Sequence, residues 1–400
     1  MLPVTEILPQ LLTLLQQHNK VIVSAPPGAG KSTYLPLYLL QDAALAGKKL
    51  LMLEPRRLAA KSIASYLSAQ LGERAGHTVG YQIRQDQKHS SNTRLLIVTE
   101  GVLTRKLQHD PELSAFDLLL FDEFHERSLH ADLALALCLE VQQLRPELQL
   151  LIMSATLDTA ELSASLNAPV LQSEGRSYPV TLEYVSPDAQ PLAQQIARLI
   201  QQALLKHQGN MLVFLPGQAE INQTAQLLQQ QGVAANVQLH RLLGSLTLAQ
   251  QQAAIAAPPS GMRKVVLSTN LAETSLTIDG ISVVIDSGLC RQSRFNPRQG
   301  LSLLETVAIS QASAIQRAGR AGRLAPGHCY RLDTAEKWQR RARFEVAEIE
   351  SSDLTGLRLE VAAWGCQITD LQWLTPPPPA HLAVAEQLLQ QLGLLDNKGM

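Results

Sequence analysis

Solidly apolar runs alternate with stretches of helical period along most of this chain. The runs Val21–Ser24, Leu50–Leu53, Leu95–Val98, Leu118–Phe121 and Leu150–Met153 lack period-two alternation. That is the pattern of strands buried on both faces. Candidate helices lie near 31–46, 56–71, 101–108 and 129–143, and leucines at 8, 11, 12, 14 and 15 predict an amphipathic helix capping a core. The rhythm breaks near 165–180 and restarts. New strands are expected at Met211–Leu215, Lys264–Ser268 and Val283–Asp286, with helices near 190–206, 218–231 and 247–256. Such alternation builds parallel sheets with right-handed crossovers, so two successive α/β units are expected. After Leu332 the strand signal fades, and the helical remainder is interrupted by Thr375 and Pro376–Pro379, read as a stiff extended link. The predicted division is 1–172, 173–332 and 333–400.

Composition narrows this picture. The 400 residues are 46% apolar and 17% charged, which fills several cores and excludes intrinsic disorder. With 34 Lys+Arg against 35 Asp+Glu there is no overall basic field, so any nucleic acid must be held in a local groove. Aromatics at 4% argue against a broad stacking platform. The four cysteines show no CxxC spacing, so neither a zinc knuckle nor a disulfide framework is indicated. The first residues lack a basic n-region and a cleavage site, and no apolar run reaches the ~18 residues of a membrane span. The chain reads as cytoplasmic, with no membrane partner.

Three clusters carry chemistry. Ala25-Pro-Pro-Gly28-Ala29-Gly30-Lys31-Ser32-Thr33 follows a strand and precedes a helix, the context of a phosphate-binding loop. Gly28 through Thr33 would cradle phosphate oxygens with backbone N–H groups. Lys31 would reach the β- and γ-phosphates, and Ser32 would hold Mg²⁺. The first glycine of GxxxxGK[ST] is replaced by Ala25, but GxGKS is intact. Next, Asp122-Glu123-Phe124-His125 follows the strand Leu118–Phe121, at the end of the sheet where α/β proteins bind ligands. Asp122 and Glu123 would hold the metal with Ser32, Glu123 would also take the proton of the attacking water, and His125 would assist. Third, Gln316, Arg320 and Arg323 in QRAGRAGR would share one face if helical, aiming two guanidiniums at one anion such as a triphosphate. Arg317 lies about 100° away on that helix and suits a structural ion pair.

Together these residues resemble the DEAH/RNA-helicase-like group of superfamily 2 helicases. Further strings fit in order: Glu54-Pro-Arg-Arg57, Thr99-Glu-Gly101, Ser154-Ala-Thr156, Leu215-Pro-Gly217, Leu243-Gly-Ser245-Leu and Ser268–Gly280 resemble motifs Ia, Ib, III, IV, the following RNA-contact motif and V. The wording of DEFHERS, motif V and SQASAIQRAGRAGR looks like that of the bacterial HrpB-type helicases. The resemblance implies two tandem RecA-like P-loop domains followed by the start of a winged-helix region, in an N-terminal portion of a longer protein. It implies ATP, with other nucleoside triphosphates admitted, and Mg²⁺ as cofactors. Glu123, His125, Gln316, Arg320 and Arg323 would be catalytic, and Asp279 would face the nucleotide. Ser154 and Thr156 would couple hydrolysis to domain motion. Arg57, Thr99, Gly217, Ser245, Thr269 and Asn270 would touch the backbone of single-stranded RNA, along which the protein would move 3′ to 5′ and unwind duplexes. A monomer would suffice. The alternative keeps the NTPase and changes the partner, to DNA translocation or the remodelling of RNA–protein complexes. Phe124 replaces the usual Ala of DEAH and should point away from phosphate. Ile255 stands where relatives stack adenine on Phe, which favours weak base selectivity.

Overall fold

The apolar runs become strands because each sends alternate side chains to opposite faces of a covered sheet. A computed structural model of the chain describes residues 2–155, 159–174, 178–273 and 278–396. The chain divides into two compact units. Unit 1 takes Met1–Arg176, Ser293–Leu303 and Val346–Met400; unit 2 takes Ser177–Gln292 and Leu304–Glu345.

The strands of unit 1 are β1 (Lys20–Ser24), β2 (Leu50–Leu53), β3 (Val79–Ile83), β4 (Asp86–Lys88), β5 (Leu95–Val98), β6 (Leu118–Phe121), β7 (Gln149–Ser154) and β8 (Val170–Gln172). They lie in the order β4-β3-β5-β2-β6-β7-β1-β8. Pairing is parallel except for the β3–β4 hairpin. One face carries Val21, Met52, Ile97, Leu120 and Met153 against the helices Leu8–Gln17, Tyr34–Gln41 and Arg57–Gln70. The other carries Ile22, Leu51, Val98, Phe121 and Ile152 against Glu100–His109 and Leu129–Leu144. That second face also buries Ile349, Leu354, Leu357, Val361 and Leu371. The expected separate region 333–400 is therefore divided: its larger part completes the core of unit 1, and 333–345 belongs to unit 2. Amphipathic helices such as Thr355–Trp364 are readable from sequence, but the surface they cover is not. Pro379 ends the proline link by opening the helix Pro379–Gln391, the first-turn position where a missing N–H costs nothing.

In unit 2 the strands are β9 (Val180–Tyr184), β10 (Asn210–Phe214), β11 (Val237–Leu242), β12 (Arg263–Ser268), β13 (Ile281–Asp286), β14 (Leu289–Asn296), β15 (Leu301–Ala308) and β16 (Gly327–Arg331); the tip of the β14–β15 ribbon groups with unit 1. The sheet runs β11-β12-β10-β13-β16-β9, parallel throughout. Its core joins Val213, Leu267, Ile285 and Tyr330 to the helices Leu192–Lys206 and Gln218–Gln231 through Ile196, Ile200, Ile221 and Leu228. The two parallel α/β units are those the strand–helix rhythm predicts. The strands β3, β9, β11, β16 and the β14–β15 ribbon had no clear signal, being mixed in polarity.

Candidate active site

In unit 1 the parallel register brings the carboxyl end of every strand but β4 to one edge. The loop after β1, Glu54 after β2, Thr99 after β5, Asp122 after β6 and Ser154 at the end of β7 all stand there. The Ala25 N–H donates to the Ser154 carbonyl at 3.0 Å, tying the loop to β7. Gly28 and Gly30 take φ of 84° and 98°. A Cβ on Gly30 would also stand 3.0–3.2 Å from Leu2, Val4 and Tyr34, so any other residue would be both strained and crowded there. The Gly30 carbonyl accepts N–H bonds from Thr33, Tyr34 and Leu35 at 3.3, 2.9 and 3.1 Å. The helix expected from residue 31 begins only at Tyr34, after Thr33 in non-helical backbone (φ -123°, ψ -65°); within the loop Lys31 Nζ donates to the Ala25 carbonyl and, at 3.4 Å, to that of Pro26.

Asp122 is buried beside this loop, and its Oδ1 accepts the Glu123 N–H at 2.9 Å. Burial and the neighbouring Glu123 push its carboxyl up to about 7, against the Ser32 hydroxyl and the Lys31 ammonium, which pull it down. Asp122 Oδ2 is buried without a hydrogen-bond partner. A hard oxygen with a spare lone pair, next to a hydroxyl, suits Mg²⁺, which takes one or two protein oxygens and completes its shell with phosphates and water. Among the described residues no three His, Cys, Asp or Glu side chains converge into a protein cage for a metal.

Glu123 adopts φ 50°, ψ 33°, a left-handed backbone that costs a non-glycine residue about 1–3 kcal/mol. Its Oε2 lies 3.4 Å from His125 Nε2. His125 Nδ1 accepts the Ala155 N–H at 3.3 Å, so the neutral ring carries its proton on Nε2, toward Glu123. The imidazole is thus hydrogen-bonded to the backbone after β7 and lies within ion-pair range of the carboxylate after β6. Thr156 lies outside the described residues. Phe124 points into the core, edge-on to Phe121 with ring centres 6.0 Å apart, as its expected orientation away from phosphate requires.

Sequence reasoning passed over Glu54 as a site residue. It is fully buried, with its pKa raised well above the usual range by burial, then by Asp122, Glu123 and Glu126. The signal was available: like Asp122, it is a carboxylate directly after an all-apolar strand. Arg56, paired with Glu126 at 3.1 Å, supplies the opposing charge.

In unit 2 the candidates occupy two edges of the sheet. Gly217, Ser245, Thr269 and Asn270 follow β10, β11 and β12 at the carboxyl edge. Arg57 and Thr99 hold the same place in unit 1, after the neighbouring strands β2 and β5. Asp279 stands at the other edge, before β13, where its carbonyl accepts Asn210 Nδ2 at 3.1 Å. Lys264 Nζ donates to the carbonyls of Ala254, Ile255 and Ala256 at 2.9, 3.0 and 2.6 Å; burial lowers its pKa, and the Asp279 charge partly opposes that. Asp279 and Ile255 are thereby gathered around one ammonium.

The helix Gln311–Gly319 stops before Arg320, so the expected shared face fails for Arg323, which sits in the turn beyond. Gly322, in the turn beyond, lies against the segment before β9: a Cβ there would stand 2.5 Å from the Tyr178 carbonyl oxygen. Gln316 and Arg320 are buried, and Arg320 Nε donates to the Glu273 carbonyl at 2.9 Å. Arg317 forms the structural ion pair its position predicts, with Glu273 Oε2 and Asp286 Oδ1 both at 2.9 Å and the Phe214 ring centre 4.8 Å away. Burial alone would lower its pKa, but the two carboxylates more than offset that and raise it. Glu273, which sequence reasoning left unassigned, receives both arginines.

A glycine-turned loop beside an Asp-Glu pair at the carboxyl edge of one parallel unit, followed by a second parallel unit with buried arginines, defines a tandem α/β protein of the P-loop class. The DEAD/DEAH box helicase family model matches residues 5–164, and the helicase conserved C-terminal domain matches 194–325, together well over half the chain. The chain belongs to the DEAD/DEAH-box helicases.

Among individual proteins, it is 50% identical over 99% of its length to the ATP-dependent RNA helicase HrpB of Escherichia coli K12, covering 49% of that protein. It is 36% identical, over 99% of its length, to the human probable ATP-dependent RNA helicase DHX34, covering 36% of it. A crystal structure of the Escherichia coli DEAH/RHA helicase HrpB superimposes with a TM-score of 0.94 over the whole chain and 51% of its own. The chain spans about half the length of HrpB, and less of DHX34.

Proposed function

We propose that this chain hydrolyses ATP, and other nucleoside triphosphates, and couples hydrolysis to 3′–5′ movement along single-stranded RNA and to duplex unwinding. The observation that carries the reading is the carboxyl edge of unit 1, where Lys31, Ser32, Asp122 and Glu123 converge. Family membership and the printed names of the relatives support it.

Each residue has a role its surroundings suit. Backbone N–H groups of 28–33 and the Lys31 ammonium bind the phosphates. Ser32 and Asp122 would hold Mg²⁺, with Glu123 alongside; bound there, the ion would neutralise phosphate charge. Glu123 accepts the proton of the attacking water, and His125 keeps that carboxylate in place. Gln316, Arg320 and Arg323 of unit 2 stabilise charge on the transferring phosphoryl group, and Asp279 meets the ribose side. Ser154 and Thr156 transmit the change. Arg57, Thr99, Gly217, Ser245, Thr269 and Asn270 take RNA phosphates, contacts that fix register without reading sequence. One chain carries all these groups, so a monomer suffices. A cytoplasmic setting suits four free cysteines. Among the described residues no helix is long and apolar enough to cross a membrane.

Phosphate release from ATP and GTP, measured alone, with poly-U RNA and with single-stranded DNA, tests the reading. The expected result is use of both nucleotides and stimulation by RNA. Equal stimulation by DNA would support the translocase alternative, and absence of hydrolysis would overturn the assignment.

A further inference from the structure

The turn that carries Glu123 is held at its far end by side chains 219 and 248 positions further along the chain. Arg127, like Glu123, is a non-glycine residue in left-handed backbone, with φ 46°. Such positions persist only where the surroundings over-determine them. Arg127 donates from Nε and Nη2 to the two oxygens of buried Asp132, both at 2.9 Å, and from Nη2 to Thr375 Oγ1 at 2.8 Å. Its carbonyl accepts the Glu348 N–H at 3.0 Å. The Glu348 carboxylate accepts the Leu129 N–H at 2.8 Å, so Glu348 grips the backbone on both sides of Ser128.

Both distant residues are themselves fixed. Glu348 opens the short turn Glu348–Glu350, whose Ile349 is fully buried in the core of unit 1. Thr375 follows Trp373 and Leu374, which pack on that core, and precedes Pro376–Pro378, whose rings lock φ. We propose that Glu348 and Thr375 are positioning residues for hydrolysis: through Arg127 they fix the turn from Glu123 to Arg127, and hence where the Glu123 carboxylate meets the attacking water. The inference rests on the nucleotide-hydrolysis reading above. It makes the segment around residues 346–375 part of the catalytic apparatus.

The experiment uses the full chain with Thr375→Val, which keeps the volume and loses the acceptor, and Thr375→Ser, which keeps the hydroxyl. Steady-state kcat and KM for ATP with poly-U, nucleotide affinity and Tm are measured for each. Valine is expected to lower kcat about tenfold, part of the ~10²-fold that a 1 Å misplacement can cost, with KM, affinity and Tm little changed. Serine restores kcat. Glu348→Ala behaves as valine does, and Glu348→Gln, whose amide oxygen can still accept from Leu129, restores it. In an Arg127→Met background Thr375→Val adds no further loss, as coupling through one residue requires. Unchanged kcat, a fully additive loss, or a fall in Tm with kcat per folded molecule intact would each overturn the proposal. Absence of hydrolysis in the unsubstituted chain would overturn the functional reading itself, a failure seen in the control rather than in the variants.

Discussion

Glu123 combines a left-handed backbone with a carboxylate that raises the pKa of its neighbour Asp122. Glu123→Gln removes both the proposed proton acceptor and that repulsion. Hydrolysis should fall by about 10²–10⁴-fold, the usual worth of a general base. Mg²⁺-nucleotide affinity should hold or tighten, because Asp122 ionises more readily. Single-turnover hydrolysis with a parallel nucleotide titration checks both halves, and normal turnover would remove Glu123 from its role. Glu100 offers a second residue-level test. Burial pushes its carboxyl up to about 7, with the Ser128 hydroxyl opposing and Glu126, Glu348 and Asp132 reinforcing. Between the ordinary glutamate value of 4.5 and about 7 the folded chain binds more protons than the unfolded one, so this group's contribution to stability is lost as pH rises through that window. Glu100→Gln keeps an acceptor for Ser128 and cannot ionise. It should raise Tm above pH 7 and flatten the decline between pH 5 and 8; a variant with the parent's slope would show that Glu100 does not titrate there.

At the scale of elements, two glycines at and just beyond the end of the helix Gln311–Gly319 stand in different surroundings. A Cβ on Gly319 would meet nothing within 4 Å, so Gly319→Ala should be tolerated and gain up to ~1 kcal/mol of helix propensity. Gly322→Ala would press a methyl against the Tyr178 carbonyl oxygen and Val180, forcing apart the approach where the Tyr178 N–H donates to the Gly322 carbonyl at 2.9 Å. It should lower Tm by several degrees and displace the turn holding Arg323. Thermal unfolding of the two variants side by side would show it, and equal Tm values would contradict the contact. Nothing in AGRAG distinguishes these glycines; the distinction is made by β9, a strand without a clear sequence signal.

For the whole molecule, the sharpest consequence is the return of the chain's end to unit 1. A chain cut after residue 345 would lose Ile349, Leu354, Leu357, Val361 and Leu371 from the core. At ~1.5–3 kcal/mol for each buried aliphatic side chain, the loss rivals the total stability of a domain. The truncated chain should aggregate or lose the cooperative unfolding transition of unit 1, seen by calorimetry. A soluble product with the parent's transition would restore the three-part division that the fading strand signal suggested.

Apolar runs and local spacing already determined much of this protein. Leu50–Leu53 and Leu118–Phe121 can be strands nowhere but in a covered sheet, and a glycine-rich GKS or a carboxylate pair directly after such a strand must stand at its carboxyl edge. Those are local constraints, and a sequence states them. Tertiary structure alone decided that Glu54 joins Asp122 and Glu123, that Glu273 receives Arg317 and Arg320, and that Glu348 and Thr375 reach back to Arg127. These pairings join residues tens to hundreds of positions apart. They follow from sheet order and from which amphipathic helix covers which face, and periodicity records only that a face must be covered.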